Sequence, residues 1–231
     1  MHSPRERLRA ADPTTYGAST TDASPAVGTR LASSSGVNAD HFTVAAPSEA
    51  VARLRARELR VLEHVTIKAW DRVLFVECRD GWVVEEAWRR LGKGNVCGLS
   101  TSPELVDLAV RLRGAPGKVE FKTWDGERFP FTDGSFDRVI SCVPCGSYLE
   151  PVAVLREMVR ALRSDGDGYL LEPDGVRPEV PQAFYTPDLR PVLEQAGFSE
   201  VRRTRALSAP GDAPALVVIH VRPGAPRTCP S

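Results

Sequence analysis

Three short stretches of this chain hold residue types that could do chemistry. The first, Val73–Gly81, reads Val-Leu-Phe-Val-Glu-Cys-Arg-Asp-Gly, an apolar strand-like run closing on a charged turn. A turn at the end of a buried strand is where an open α/β sheet holds a nucleotide-like ligand. Such a turn favours glycine, because the backbone must take positive φ and approach the ligand without a Cβ in the way. The next helix N-terminus then offers free N–H groups. Here Gly81 is the only glycine, with Glu77 and Arg79 at the alternate positions before it. A long cation at a point of close backbone approach would fill the pocket or force the loop onto another path. Glu77 could offset that charge by pairing with Arg79, or the pair could simply cap a sheet edge.

The second stretch is Trp124-Asp125-Gly126. Asp125 can accept from an amino group of a heterocycle on which Trp124 stacks. Alternatively, Asp125 only starts an Asp-Gly turn. The third is Cys142-Val-Pro-Cys145, which has the spacing of a redox pair. Cys78 would approach Cys142 if their strands are neighbours, with Cys97 one strand further out. A second CxxC and a nearby His are missing, so the zinc signal is weak and no metal is expected. Small buried core thiols are the competing reading. His64 and His220 stand outside any motif and read as structural. Neither a serine-hydrolase elbow nor a phosphate loop is present. Tyr148, Glu150 and Tyr185 fall where a cleft mouth would lie and serve either as substrate contacts or as loop packing.

These residues need elements to position them. Ser48 is placed to cap an amphipathic helix whose stripe is Ala50, Leu54, Leu59 and Leu62. Arg72–Cys78 is an apolar run of the kind a buried parallel strand needs. Trp82–Leu91 reads as a helix stopped by Gly92, and Asn95–Leu99 as a second strand. Ser102 and Pro103 suit the N-cap and first position of a helix running to about Arg113. Strands follow at Lys118–Lys122 and Phe136–Cys142, then a helix at Pro151–Arg163, a Ser164–Gly168 turn and a strand from Gly168. A last helix starts at Thr186 and ends at Gly197, and two closing strands lie near Glu200–Arg205 and Ala215–Val221. Strands alternating with helices predict a mostly parallel, doubly wound sheet with helices on both faces.

Composition sets outer bounds. The 231 residues are 42% hydrophobic and 26% charged with a formal net charge of zero. This lacks the basic excess of a nucleic-acid binder and the charge block of a membrane-surface protein. No apolar run reaches the roughly 18 residues of a membrane span. The N-terminus, MHSPRERLRA, lacks the apolar segment of a secretory signal, so a cytoplasmic protein is expected. Five cysteines, an odd number, argue against a disulfide framework. Arginine greatly outnumbers lysine, as in chains from GC-rich, bacterial genomes. Residues 1–46 read as a poorly ordered leader or an arm over a substrate or partner, 47–222 as the folded domain and 223–231 as a tail.

The stretch Asp125-Gly-Glu-Arg-Phe-Pro-Phe-Thr-Asp-Gly-Ser-Phe-Asp-Arg-Val-Ile-Ser resembles the class I S-adenosylmethionine-dependent methyltransferases. Leu155-Arg-Glu-Met-Val-Arg-Ala-Leu-Arg and Gln195-Ala-Gly-Phe are similar to the family's fourth crossover helix and its closing helix-to-strand turn. The resemblance spans roughly Glu49 to Arg222 and implies a Rossmann-like, seven-stranded sheet. It implies S-adenosylmethionine as cofactor, with Glu77, Cys78, Gly81, Ser100, Trp124, Asp125 and Cys142 around it. Family members carry an acid inside the first strand, three alternating glycines after it, and an acid for the ribose hydroxyls at the end of the second strand. Here Phe75, Glu77, Arg79 and Ser100 stand instead, so cofactor binding is expected to be weakened or lost. Methyl transfer needs mainly alignment of the reacting groups, so the lack of an evident base leaves it open. The resemblance therefore allows two main functions, besides a recruited fold that carries out another reaction in the old cleft. One is a small-molecule methyltransferase with an altered cofactor loop. The other is an inactive regulatory or scaffold subunit of a homologous methyltransferase. A homodimer is compatible with either.

Overall fold

A computed structural model describes residues 48–173, 189–205 and 216–224. The expected leader, most of the tail, Thr186, Tyr185 and Cys229 lie outside the described residues. Helix α1 spans Glu49–His64, and Ser48 caps it by accepting from the Val51 N–H. Strands β1 (Arg72–Val76), β2 (Asn95–Ser100), β3 (Val119–Thr123) and β4 (Phe136–Ser141) alternate with α2 (Trp82–Leu91) and α3 (Pro103–Arg113). Then come α4 (Pro151–Ala161), β5 (Leu162–Pro173), α5 (Arg190–Ala196), β6 (Phe198–Arg205) and β7 (Leu216–Pro223).

The seven strands order as β3-β2-β1-β4-β5-β7-β6. The first five pair in parallel, and β7 runs antiparallel between β5 and β6. The central strands are apolar on both sides because both faces are covered. Val73 and Phe75 pack under α1, α2 and α3, while Leu74 and Val76 pack under α4 and α5. Phe75, fully buried in the first of these layers, is sheet core and does not enter a cleft.

The Asp133–Asp137 run proves to be scaffold in its contacts. Asp133 pairs with Arg160, Ser135 Oγ donates to the Thr132 carbonyl, and Asp137 accepts from the Arg72 N–H that opens β1. Strand β5 starts earlier than expected. Its residues Ser164–Gly168 are extended, with a register irregularity opposite Phe136 and Arg138. The reason is tertiary. Asp167 is buried and bonded to Arg222, His220 and Arg138, so its backbone is held in the sheet. No described helix is long and apolar enough to cross a membrane.

Candidate ligand cleft

Strand β1 lies between β2 and β4, where the crossovers reverse direction. Ligands of doubly wound sheets bind beyond the strand C-termini at this point. The loop leaving β1 takes left-handed backbone at each alternate position: φ is 56° at Glu77, 55° at Arg79 and 75° at Gly81. The glycine-loop path is thus kept with two L-residues on it. Such strain persists only where surrounding bonds over-determine the conformation, and those bonds are present. Cys78 N–H donates to the Leu99 carbonyl, and Cys142 N–H to the Val76 carbonyl. Arg113, from the end of α3, donates Nε to the Asp80 carbonyl at 2.9 Å and pairs with Asp80 and Glu85 at 2.9 and 2.8 Å.

Glu77 does not pair with Arg79. Its side chain crosses to the end of β2, where Oε1 accepts from Thr101 N–H (3.0 Å) and Trp124 Nε1 (2.8 Å), and Oε2 accepts from Ser100 Oγ (3.2 Å). Arg79 is exposed. Its charge acts instead on Glu58 of α1, a buried carboxyl raised to about 7. Burial is the main cause, Asp80 adds to it, and Arg79, Arg55 and Arg113 oppose it. Arg55 lies over the Trp82 ring at 5.4 Å.

A cavity of about 450 Å³ opens beside Glu77 and Thr101. Trp124, Asp125, Gly126 and Glu127 line one side, and Val143, Ser147, Tyr148, Leu149 and Glu150 line the other. Of the residues singled out in the sequence, Glu77, Trp124, Asp125, Tyr148 and Glu150 meet here. Cys78, Gly81, Ser100 and Cys142 do not line it. Gly81 is buried against α3 and β3, and a Cβ there would lie 2.4 Å from Phe121 Cε1, so this glycine serves helix–sheet packing. Trp124 is buried, edge-on to Phe129 at 4.9 Å. Asp125 both starts a turn and lines the cavity. Its Oδ1 accepts from the Glu127 and Arg128 N–H groups, which holds the carboxyl below its ordinary range.

The thiols differ from a reactive pair, which needs a lowered pKa and exposure. Burial pushes Cys78, Cys142 and Cys145 well up and Cys97 to about 12. All four are free. Among the described residues no three His, Cys, Asp or Glu side chains form a metal-ligand group. His64 Nδ1 donates to the Arg60 carbonyl, and His220 stacks on Tyr169.

Sequence reasoning missed Arg113, Glu58, Thr101 and the direction of Glu77. A usable signal for Glu77 was present. An acid absent at Ser100 and an acid gained at Glu77 fall on adjacent strands, and the register Val76↔Leu99 places them side by side.

Five parallel strands, an antiparallel closing hairpin and a cleft at the β1/β4 reversal define a Rossmann-like α/β protein with a cavity beyond its strand ends. Residues 73–166 match the family model described as a methyltransferase domain. On sequence and fold together, the chain is similar to the class I S-adenosylmethionine-dependent methyltransferases. It is similar to a demethylmenaquinone methyltransferase of Lactobacillus johnsonii, at 29% identity over 49% of this chain and 48% of the relative. It is also similar to a phthiotriol/phenolphthiotriol dimycocerosates methyltransferase of Mycobacterium ulcerans, at 34% identity over 56% of this chain and 46% of the relative. The chain thus spans about half the length of these curated relatives. A solved structure of an S-adenosylmethionine-dependent methyltransferase from Aquifex aeolicus superposes with a TM-score of 0.61 at 20% identity. That match covers 71% of this chain and 88% of the other, and carries the likeness of fold.

Proposed function

We propose that this protein is an S-adenosylmethionine-dependent methyltransferase acting on a small molecule, with a cofactor affinity lowered by its loop. One observation carries the reading. The β1 loop keeps its left-handed path and meets, at Glu77, a cavity of about 450 Å³ bounded by Trp124 and Asp125. That volume falls within the roughly 300–1,000 Å³ of small-ligand sites. When bound, the cofactor supplies an electrophilic methyl group on a sulfonium. Asp125 keeps Oδ2 free to accept from an adenine amino group beside the Trp124 edge. Val143, Ser147, Tyr148 and Leu149 offer a mostly apolar wall for the acceptor. The relatives' names, for demethylmenaquinone and phthiotriol dimycocerosates, support a small-molecule acceptor. Arg79 and the missing glycines lower the affinity, because a fixed cation near the loop opposes a cationic ligand. Isothermal titration should give a dissociation constant of high micromolar to millimolar. A value tighter than about 10 μM, near −7 kcal/mol, contradicts the weakening.

A second reading is favoured by the cavity's limit at Glu77, with Gly81, Ser100 and Cys142 outside its lining. In that reading the domain is inactive and serves as a regulatory or scaffold subunit for a homologous methyltransferase. Folded protein that binds no cofactor at millimolar concentration, and still none as Arg79→Gly, supports this reading over the first.

A further inference from the structure

We infer that Glu77 is the ribose-hydroxyl acceptor of the cleft, a carboxylate delivered from the end of β1 to the place where β2 ends in Ser100. This rests on the adenosyl-ligand reading above.

Two independent observations lead to it. The first is conformational. Glu77 occupies left-handed backbone, at φ 56°, which an L-residue adopts only when its surroundings hold it there. The second is where the side chain goes. From β1 it spans the neighbouring strand end and is gripped by three donors from two segments, Ser100 Oγ, Thr101 N–H and Trp124 Nε1. Ser100 itself is 1% exposed, and its Oγ also accepts from the Ser102 N–H at 3.2 Å, so it is enclosed behind the carboxylate. Glu77 rather than Ser100 therefore lines the cavity.

The lone pairs show what remains available. A carboxylate oxygen has two acceptor directions. Oε1 uses both, on Thr101 and Trp124, whereas Oε2 uses one, on Ser100. One acceptor direction stays open on a carboxylate that is rigidly oriented and borders a cavity. Its neighbours there are Thr101 on one side and the Trp124–Asp125 wall on the other. This suits a neutral hydroxyl donor on a sugar that carries an aromatic base. It suits neither an anion nor a second carboxylate.

The test is a titration of the full chain with adenosine, 2′-deoxyadenosine, 3′-deoxyadenosine and S-adenosylhomocysteine. It compares the wild type with Glu77→Gln, Glu77→Gly and the double variant Glu77→Gly/Ser100→Asp. Thermal melts confirm that each is folded. Wild type should prefer adenosine over one of the deoxy ligands by about 10-fold or more, the worth of a charged hydrogen bond. Glu77→Gln keeps the grip of Thr101 and Trp124 and should lose that preference. Glu77→Gly should lose it too, and the double variant, with the acid returned to β2, should regain it. A merely structural Glu77 would shift melting temperatures and leave the deoxy discrimination intact. If Glu77→Gly or Glu77→Gln binds adenosine as tightly as wild type or more tightly, Glu77 is a plug and the inference falls alone. If no ligand binds any folded variant, the adenosyl-ligand reading falls with it.

Discussion

At Glu77 and Arg79 two L-residues sit in backbone that glycine adopts freely, and their side chains have opposite consequences. Glu77 makes three hydrogen bonds in return for its strain. Arg79 makes none with Glu77 and is exposed. A left-handed L-residue costs about 1–2 kcal/mol, and the added unfolded-state freedom of glycine takes back part of that. Arg79→Gly should therefore stabilise the fold by about 1 kcal/mol, roughly 2–4 °C in melting temperature for a domain of this size. It should also tighten S-adenosylmethionine binding, because the sulfonium no longer faces a nearby cation, and titration reads this directly. Gly81 behaves in the reverse sense. Its φ of 75° and the 2.4 Å approach of Phe121 leave no room for a methyl group. Gly81→Ala should cost about 2–3 kcal/mol by denaturant titration, from overpacking added to backbone strain. At this scale the sequence disclosed which residues were unusual and left open where they pointed. Pairing Glu77 with Arg79 was the local expectation. The competing partners, Thr101 and Trp124, are distant in the chain and become neighbours only through the β1–β2–β3 register.

The elements around the cleft follow from local signals. Ser48 and Ser102 accept from the N–H groups three residues on, and Pro103 opens α3, as their types and positions predict. The loop between β1 and α2 is held by an element that does not adjoin it. Arg113, whose side chain is 12% exposed, clasps Asp80 and Glu85 from the end of α3. Removing one partner of a part-buried bidentate network leaves carboxylates uncompensated. Arg113→Met should destabilise by about 2 kcal/mol, toward the lower end because the network is partly solvated. Amide exchange should rise most across residues 78–82, measured by hydrogen–deuterium exchange. Uniform acceleration across the sheet would contradict a local clasp. The early start of β5 has the same kind of origin. Ser164-Asp-Gly-Asp-Gly has turn composition, and the ion pairs of Asp167 with Arg138 and Arg222 override it.

For the molecule as a whole, Glu58 gives the pH dependence its sign. Its carboxyl is raised from 4.5 to about 7, chiefly by burial. The folded state therefore holds a proton that the unfolded chain releases near pH 4.5. The resulting stability is fully present below that pH and is lost as pH rises through about 7. The wild type should lose about 2–3 kcal/mol of unfolding free energy between pH 5 and pH 8 from this group. Glu58→Gln should flatten that slope, and denaturant titrations at the two pH values would show it. An unchanged slope in the variant would place the titration elsewhere. Asp167 acts oppositely at the acid end. Burial raises its carboxyl, but the bonds from Arg222 and His220 and the charge of Arg138 outweigh this and lower it. Its contribution holds above pH 4 and is lost as pH falls further.

The alternation of elements, the doubly wound sheet and the methyltransferase resemblance are legible in the chain without its structure. Apolar periodicity, caps and the Asp125–Ser141 stretch are local and survive any choice of neighbours. The sequence also marked Val73–Gly81 as a glycine loop without its glycines. The path of that loop and the direction of its side chains come from contacts distant in the chain. The backbone path is set by long-range bonds, from Arg113 to Asp80 and from Cys78 to Leu99, and those bonds hold Glu77 and Arg79 left-handed without glycine. The carboxylate that the sequence placed on β1 then serves the end of β2, because parallel pairing brings Glu77 beside Ser100 and no local rule sets that direction.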